Sequence, residues 1–409
     1  MSIEKIVRET LKLTDHKILN IEMTDESIDI YLDKKVLRRL PCRNCSRRCR
    51  CRDQLPPRIW THVSLWGIPV CLVYSPRRVK CPSCGIIVEK IPWSMGKSRL
   101  TLPLIITLAF FARLLAIDQV ANLYRVSWGT VSNAVKKAVK FGIHNRDCSN
   151  IQYIGIDEIS RKKGHVYHTN IYDLDKKVLI WSGEGRTMDT LRQFFDEMGK
   201  EFTSNLKGIC CDMWKPYISV VKERVPNAVL VFDKFHLIRY LLNAVDKVRK
   251  DEVKRYKQLG KENILKKTKY IWLKNPCNLT SNQEQSLGYI QKLNTRVTRA
   301  YLLKESFREL WKHRSKEKAK KYMKKWFWWA THSRLKPLRD FAWLLRRHEE
   351  DILSWFEVRI DNGATEAMNN NAKAISHRAR GYRTSDMFSM VMLHCLGGLK
   401  LPGFLHKFV

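Results

Sequence analysis

The spacing of apolar positions changes several times along the chain, and each change marks a new element. After a short, charged amphipathic helix, apolar residues alternate at Leu19, Ile21 and Met23 and again at Ile28, Ile30 and Leu32, which predicts a small hairpin within the first 35 residues. Ile59–Val63 and Gly67–Tyr74 are strand-like, and Thr101–Ala116 predicts a buried helix. A period of two returns at Tyr153-Ile-Gly-Ile-Asp157-Glu158, an apolar strand expected to end in acid, and strands follow at His165–Leu174 and Lys177–Ser182. Thr187–Lys200 then has helical spacing, with Leu191, Phe194, Phe195 and Met198 on one face. Lys207–Asp212 is a fourth strand, Met213–Glu223 a helix and Ala228–Phe232 a fifth strand that closes with Asp233-Lys-Phe-His236. Residues 237–356 are helical by periodicity. Past a turn at Asn362-Gly363, the residues Glu366, Asn369, Asn370 and Lys373 share one helical face.

Three strands, a helix and a fourth strand, with Asp on the first strand and just past the fourth, is the ribonuclease-H-like order of elements. A carboxylate inside an apolar strand is costly unless a cation pairs with it, which makes Asp157 a candidate metal ligand. Two divalent ions clamping a scissile phosphate need oxygen ligands from several elements. The expected arrangement has Asp157 between two Mg²⁺ ions, Asp212 on one and Glu366 on the other, with Mn²⁺ able to substitute. Mg²⁺ keeps several waters, so three protein carboxylates suffice.

Composition narrows the partner. Lys and Arg number 76 against 40 for Asp and Glu, a formal charge of +36. Such an excess suits a polyanion, and nucleic acid is the leading choice. The helical block at 237–356 is dense in Lys and Arg and carries Trp272, Trp311, Trp326, Trp328, Trp329, Trp343 and Trp355. Most of these are expected in the core, while the charge of the block favours a DNA-facing surface. The longest apolar run, Leu100–Ala112, spans 13 residues, too few to cross a bilayer, and the N-terminus has no signal-peptide core. The chain is therefore expected to be cytoplasmic and nucleoid-associated, with no membrane partner and no small-molecule substrate.

Cysteines in such a compartment are reduced, so paired spacings point to metal before disulfide. Cys42-Arg-Asn-Cys45 and Cys81-Pro-Ser-Cys84 form two such pairs and predict a zinc ribbon, structural because four thiolates leave no open coordination position. Cys49 and Cys51 are alternates, and the 35 residues between Cys45 and Cys81 exceed the common interval. Residues 117–137 have the shape of a helix-turn-helix, with Ser127 as N-cap of the second helix and Trp128, Thr130, Asn133, Lys136 and Lys137 presented outward towards DNA.

The acids Asp157, Asp212 and Glu366, the segments Asp212-Met-Trp-Lys-Pro-Tyr217, Asp233-Lys-Phe-His236 and Asn362-Gly-Ala-Thr-Glu366-Ala-Met-Asn-Asn370, and the Arg378-Ala-Arg-Gly-Tyr382 ending resemble the DDE transposases of the bacterial ISL3 insertion-sequence family. The resemblance covers nearly the whole chain. It implies an α/β multidomain protein with a ribonuclease-H-like catalytic core interrupted by an all-helical insertion and preceded by a zinc ribbon and a helix-turn-helix domain. The expected boundaries are 1–98 for the ribbon region, 99–147 for the helix-turn-helix, 148–236 for the first part of the core, 237–356 for the insertion and 357–409 for the second part and tail. It implies an enzyme that binds the terminal inverted repeats of its element, cleaves the ends and joins the 3′-hydroxyl to target DNA. Asp233, His236, Asn369, Asn370 and Lys373 would support the acids, and Arg378, Arg380 and Arg383 would contact DNA. Because two ends must be synapsed, a homo-oligomer, first of all a dimer, is expected. The rival expectations are a structure-selective nuclease without strand transfer and a transposase-derived DNA-binding regulator.

Overall fold

A computed structural model describes residues 3–10, 13, 15–35, 39–162, 164, 166–260, 264–293, 295–360 and 363–402. Asn362 of the expected turn, His165 at the start of an expected strand and the tail from 403 to 409 lie outside the described residues. The chain divides into two compact units, one running up to Arg146 and including the chain from Leu399, the other Asp147–Gly398.

The first unit opens with α1 (Ile3–Thr10), β1 (His16–Met23) and β2 (Ile28–Lys34). In β2 alternate side chains are buried, which puts Ile28, Ile30 and Leu32 in the core as their period of two requires. Then come β3 (Leu40–Pro41), β4 (Arg48–Gln54), β5 (Arg58–Leu65), β6 (Ile68–Tyr74), β7 (Arg77–Cys81) and β8 (Gly85–Val88). They form two sheets, β1-β2-β6-β5 and β3-β4-β7-β8. The chain leaves the second sheet after β4, completes the first with β5 and β6, and returns with β7. That detour is why the two cysteine pairs stand so far apart in sequence. The helices α2 (Leu102–Leu114), α3 (Ile117–Leu123) and α4 (Trp128–His144) follow. Leu399 crosses α4 at Gly142, where an added Cβ would lie 2.6 Å from the Leu399 Cβ, so only glycine fits.

The second unit is built on a five-stranded sheet, β9 (Tyr153–Lys162), β10 (Val166–Asp173), β11 (Val178–Glu184), β12 (Gly208–Cys211) and β13 (Val229–Phe232), in the order β11-β10-β9-β12-β13. The first three strands form an antiparallel meander, and β12 and β13 run parallel to β9. α5 (Met188–Asn205) carries the chain from β11 across to β12, and α6 (Lys215–Arg224) links β12 to β13. The expected helix at Thr187–Lys200 thus continues to Asn205, across a break at Gly199, whose φ of 80° only glycine adopts freely.

α7 (Lys234–Gln258) opens the helical block, continued by α8 (Lys269–Leu273), α9 (Ser281–Lys292), α10 (Arg296–Arg308), α11 (Lys316–His332), α12 (Lys336–Arg347), α13 (Glu349–Leu353) and α14 (Trp355–Val358). Its core is continuous with that of the sheet, from Ile154 and Phe232 through Leu241 and Trp272 to Trp326 and Phe341. Trp272 and Trp326 are fully buried, whereas Trp328 and Trp343 are exposed. α15 (Gly363–Arg378) then packs on β9, and α16 (Ser385–Leu396) packs on β11. Among the described residues no helix is long and apolar enough to cross a membrane.

Candidate functional site

Parallel register brings the acids together. Cys210 of β12 lies opposite Gly155 of β9, and Cys211 lies opposite Phe232 of β13. Carried one or two residues further, this pairing sets Asp157, Asp212 and Asp233 level on three neighbouring strands, which run about 5 Å apart. Asp157 does not end its strand, as the apolar run suggested. β9 continues to Lys162 because β10 pairs with it that far, with Asn170 directly opposite Asp157. The alternation of the strand sends Asp157 and Glu158 to opposite faces of the sheet. Glu158 meets Tyr217 and Arg186, and its carboxyl is raised by burial against the pull of these two partners.

On the other face, α15 lies over Asp157. Asn369 is buried there, donating from Nδ2 to Asp157 Oδ2 at 2.6 Å and accepting at Oδ1 from the Tyr172 hydroxyl at 2.5 Å. Asn170 Nδ2 donates to the same hydroxyl at 3.1 Å. This Asn170–Tyr172–Asn369 chain orients the Asp157 carboxylate. Asn170 and Tyr172 escape a reading of sequence motifs, since β10 also carries His168, Thr169 and Asp173 and nothing in the sequence singles out one polar residue and a phenol two residues later.

A second set closes from the parallel strands. His236 Nδ1 lies 2.6 Å from Asp212 Oδ1 and 2.7 Å from Asp233 Oδ2. Asp233 is also the N-cap of α7, accepting from the Phe235 N–H at 3.0 Å. That cap sets His236 three residues on, one turn into the helix and back over the acids. Burial alone would lower the pKa of His236, but its hydrogen bonds to Asp212 and Asp233 outweigh that and lift it to about 10. The imidazole is therefore a cation held between two carboxylates. In Asp157 the raised pKa favours the neutral form instead. Burial and then the Asp212 charge push its carboxyl up to about 7, against the Glu158 N–H and the His236 charge. Ligand atoms of Asp212, Asp233 and His236 fall within 4.8 Å of one another. Hard oxygen donors with an under-neutralised carboxyl beside them suit a divalent cation.

Glu366 occupies the first turn of α15, exposed, three residues before Asn369. The tight group of donors among the described residues includes neither Glu366 nor Asp157. Asn370 and Lys373 are exposed on the same helix. Arg378 is half-buried at its C-terminal end, and Arg380 and Arg383 are exposed just past it.

In the first unit, Cys42, Cys45, Cys81 and Cys84 converge with their sulfurs within 4.8 Å, and Cys45 and Cys81 lie 3.5 Å apart. Two thiolates on one tetrahedral zinc at about 2.3 Å would sit roughly 3.8 Å apart, so the set fits that ion. Cys81 is lowered to about 6, because the backbone N–H groups of Ser83 and Cys84 and the Cys45 and Cys42 thiols outweigh its burial. Cys49 turns to the Arg47 carbonyl and Cys51 is exposed, so neither belongs to the group. On α4, Ser127 accepts from the Thr130 N–H at 3.1 Å as N-cap, and the two hydroxyls bond to each other at 2.8 Å. Trp128, Asn133, Lys136 and Lys137 are exposed on that helix, with Val131, Ala134 and Val135 buried behind them.

A family model described as a transposase of the ISL3 type matches residues 154–392. The chain is 27% identical over 365 residues to the transposase for insertion sequence element IS1001 of Bordetella parapertussis, covering 88% of this chain and 90% of that one. It is 29% identical over 394 residues to the transposase for insertion sequence element IS1557 of Mycobacterium tuberculosis, covering 90% and 88%. From β9 through α16, and over a length matched almost end to end by these relatives, the chain belongs to the ISL3 family of DDE transposases.

Proposed function

We propose that this protein binds the terminal inverted repeats of its own insertion sequence, cuts the DNA there and joins the freed 3′-hydroxyl to target DNA. The observation that carries this reading is the meeting of Asp157, Asp212 and Asp233 at one level of the sheet, beneath the helix that bears Glu366. In this reading the sheet is a ribonuclease-H-like core, α7–α14 are an insertion into it, and the boundaries at 98, 147, 236 and 356 separate its working parts. Asp157, Asp212 and Glu366 would hold two Mg²⁺ ions. Bound there, the ions supply activation of the attacking oxygen and charge stabilisation for the leaving 3′-oxygen. The side chains have their own work. Asn369 aims Asp157, Asp233 fixes the start of α7, and His236 neutralises Asp212 and Asp233 so that they can lie so close. Glu366 stands about 4.5 Å along the helix axis from Asn369, towards the N-terminus of α15.

The four-cysteine group would hold a structural zinc ion. Trp128, Asn133, Lys136 and Lys137 would face the major groove of the element ends, with Ser127 and Thr130 shaping the helix start. Synapsis of two ends calls for a dimer, acting in the cytoplasm at the nucleoid.

The test uses DNA flanking the gene as the source of the repeats. Purified protein should nick a repeat-containing duplex with Mg²⁺ and join a pre-cut 3′-hydroxyl end to a plasmid. Asp157→Ala, Asp212→Ala and Glu366→Ala should each lose both reactions and keep end binding. Nicking without any joined product would leave a nuclease in place of a transposase, and full activity in Glu366→Ala would remove that residue from the site.

A further inference from the structure

A cleft of about 650 Å³ opens between the far end of β9 and the C-terminal half of α15. Its cations are Arg161, Lys162, Lys373, Arg380 and Arg383, with His377 among them, and among the described residues no Asp or Glu lines it. Like charges at this density repel, so their convergence calls for an anion. Two features of the backbone build the cleft. At Arg161 the pairing of β9 with β10 slips, Ser160 facing Tyr167 and Lys162 facing Val166, so Arg161 is the extra residue of a bulge, a device that re-aims a side chain. At the end of α15, Arg380 and Gly381 both take positive φ, 55° and 90°, and the chain turns back to present Arg383. An arginine in the left-handed region costs free energy that glycine would not.

The strand side holds the loop side in place. Arg161 Nη1 donates to the carbonyls of Tyr382 at 3.2 Å and Arg383 at 3.3 Å, and Lys162 Nζ donates to the Arg383 carbonyl at 3.4 Å. Nη2 of Arg161 meets Glu184 at 3.3 Å, from outside the cleft. The Arg161 side chain is only 8% exposed, yet its Nε has no acceptor among the described residues. With that guanidinium spent on holding the loop, the exposed Lys162, Lys373, Arg380 and Arg383 around it leave the cleft a place for an oxygen-rich anion.

Distance says which anion. Arg161 lies four residues beyond Asp157 on β9, about 13 Å along the strand. Lys373 and His377 lie four and eight residues beyond Asn369 on α15, about 6 and 12 Å along the helix. At about 3.4 Å of rise per nucleotide, that interval is roughly two to four nucleotides of a strand threaded through the acids. We propose that this cleft seats one backbone phosphate of the DNA strand being cut, two to four nucleotides from the scissile phosphodiester, and so sets the position of the cut. The inference rests on the reading of the acids given above.

The experiment replaces single phosphates by neutral methylphosphonates, one position at a time, for six nucleotides on either side of the cut, in an end duplex. Cleavage by the full-length protein and by an Arg380→Gln, Arg383→Gln double variant is compared, after melting curves confirm that the variant is folded. In the wild type, one or two neutral linkages in the two-to-four-nucleotide window should slow cleavage about ten-fold. The variant should be insensitive to those same linkages and should cut at scattered neighbouring positions. A flat interference profile, a maximum outside the window, or a variant as sensitive as the wild type overturns the phosphate seat while leaving the transposase reading intact. A wild type that neither binds nor cuts the repeats overturns that reading and this one with it.

Discussion

Asp157→Asn tests the electrostatics of the site without any DNA. The Asp157 carboxyl is raised from its ordinary 3.8 to about 7, chiefly by burial and then by the neighbouring Asp212 charge. A folded-state pKa above the unfolded value means that the unfolded chain releases the proton first. Stability from the protonated form is thus complete below about pH 4 and is lost as pH rises through 7, with no further loss above. Three units at 1.36 kcal/mol each make the cost about 4 kcal/mol. Asparagine carries no titrating proton and can still accept from Asn369 Nδ2. The variant should therefore match the wild type near pH 4 and exceed it by about 4 kcal/mol near pH 8. For a unit the size of Asp147–Gly398 that is a rise in melting temperature of about 8 °C. His236 acts in the same direction at higher pH, its stabilisation being complete below 6.5 and lost as pH climbs to about 10. It does so in both proteins, and the difference curve removes it. The assay is melting temperature against pH in buffer free of Mg²⁺ but without chelator, so that no metal is stripped from the four-cysteine group. A difference curve that is flat from pH 4 to 8, or that falls, refutes the reasoning.

Asn369→Ala leaves Asp157 Oδ2 and the Tyr172 hydroxyl without their shared partner, at a cost of about 1–3 kcal/mol, read by denaturant unfolding. The same variant should slow end cleavage while end binding, followed by gel retardation, stays at the wild-type level. Cys81→Ser should reduce zinc measured by atomic absorption from one ion per chain to none and lower the melting temperature, whereas Cys51→Ser should change neither. Glu252, 5% exposed, accepts the backbone N–H groups of Arg296 at 3.2 Å and Val297 at 2.8 Å at the start of α10. Glu252→Ala should cost about 1–3 kcal/mol in thermal or urea unfolding, because two buried donors lose their acceptor and the helix loses an anion at its positive end.

Local chemistry is written in the chain, and much of this molecule is local. The alternation of Ile28, Ile30 and Leu32, the helical face of Leu191, Phe194 and Phe195, the Ser127 cap and the two Cys-x-x-Cys turns each depend on residues within a few positions of one another, so their periods and spacings specify the element. The same holds for Asp212 and Asp233, which stand directly after short apolar strands. Where partners are distant in sequence, only packing decides. β9 extends beyond Asp157 because β10 offers it hydrogen bonds as far as Lys162, a pairing that no property of Asp157 itself announces. The interval between the cysteine pairs is long because β5 and β6 belong to a different sheet. The helical periodicity of residues 237–356 says nothing of whether that block stands apart, and its core is in fact continuous with the sheet. Asn369 reaches Asp157 across 212 positions and Tyr172 across 197. Side-chain type and period determined which residues could do chemistry; the register of three parallel strands and the seating of one helix decided which of them meet, because contact between distant residues depends on how whole elements pack and not on the identity of any one residue.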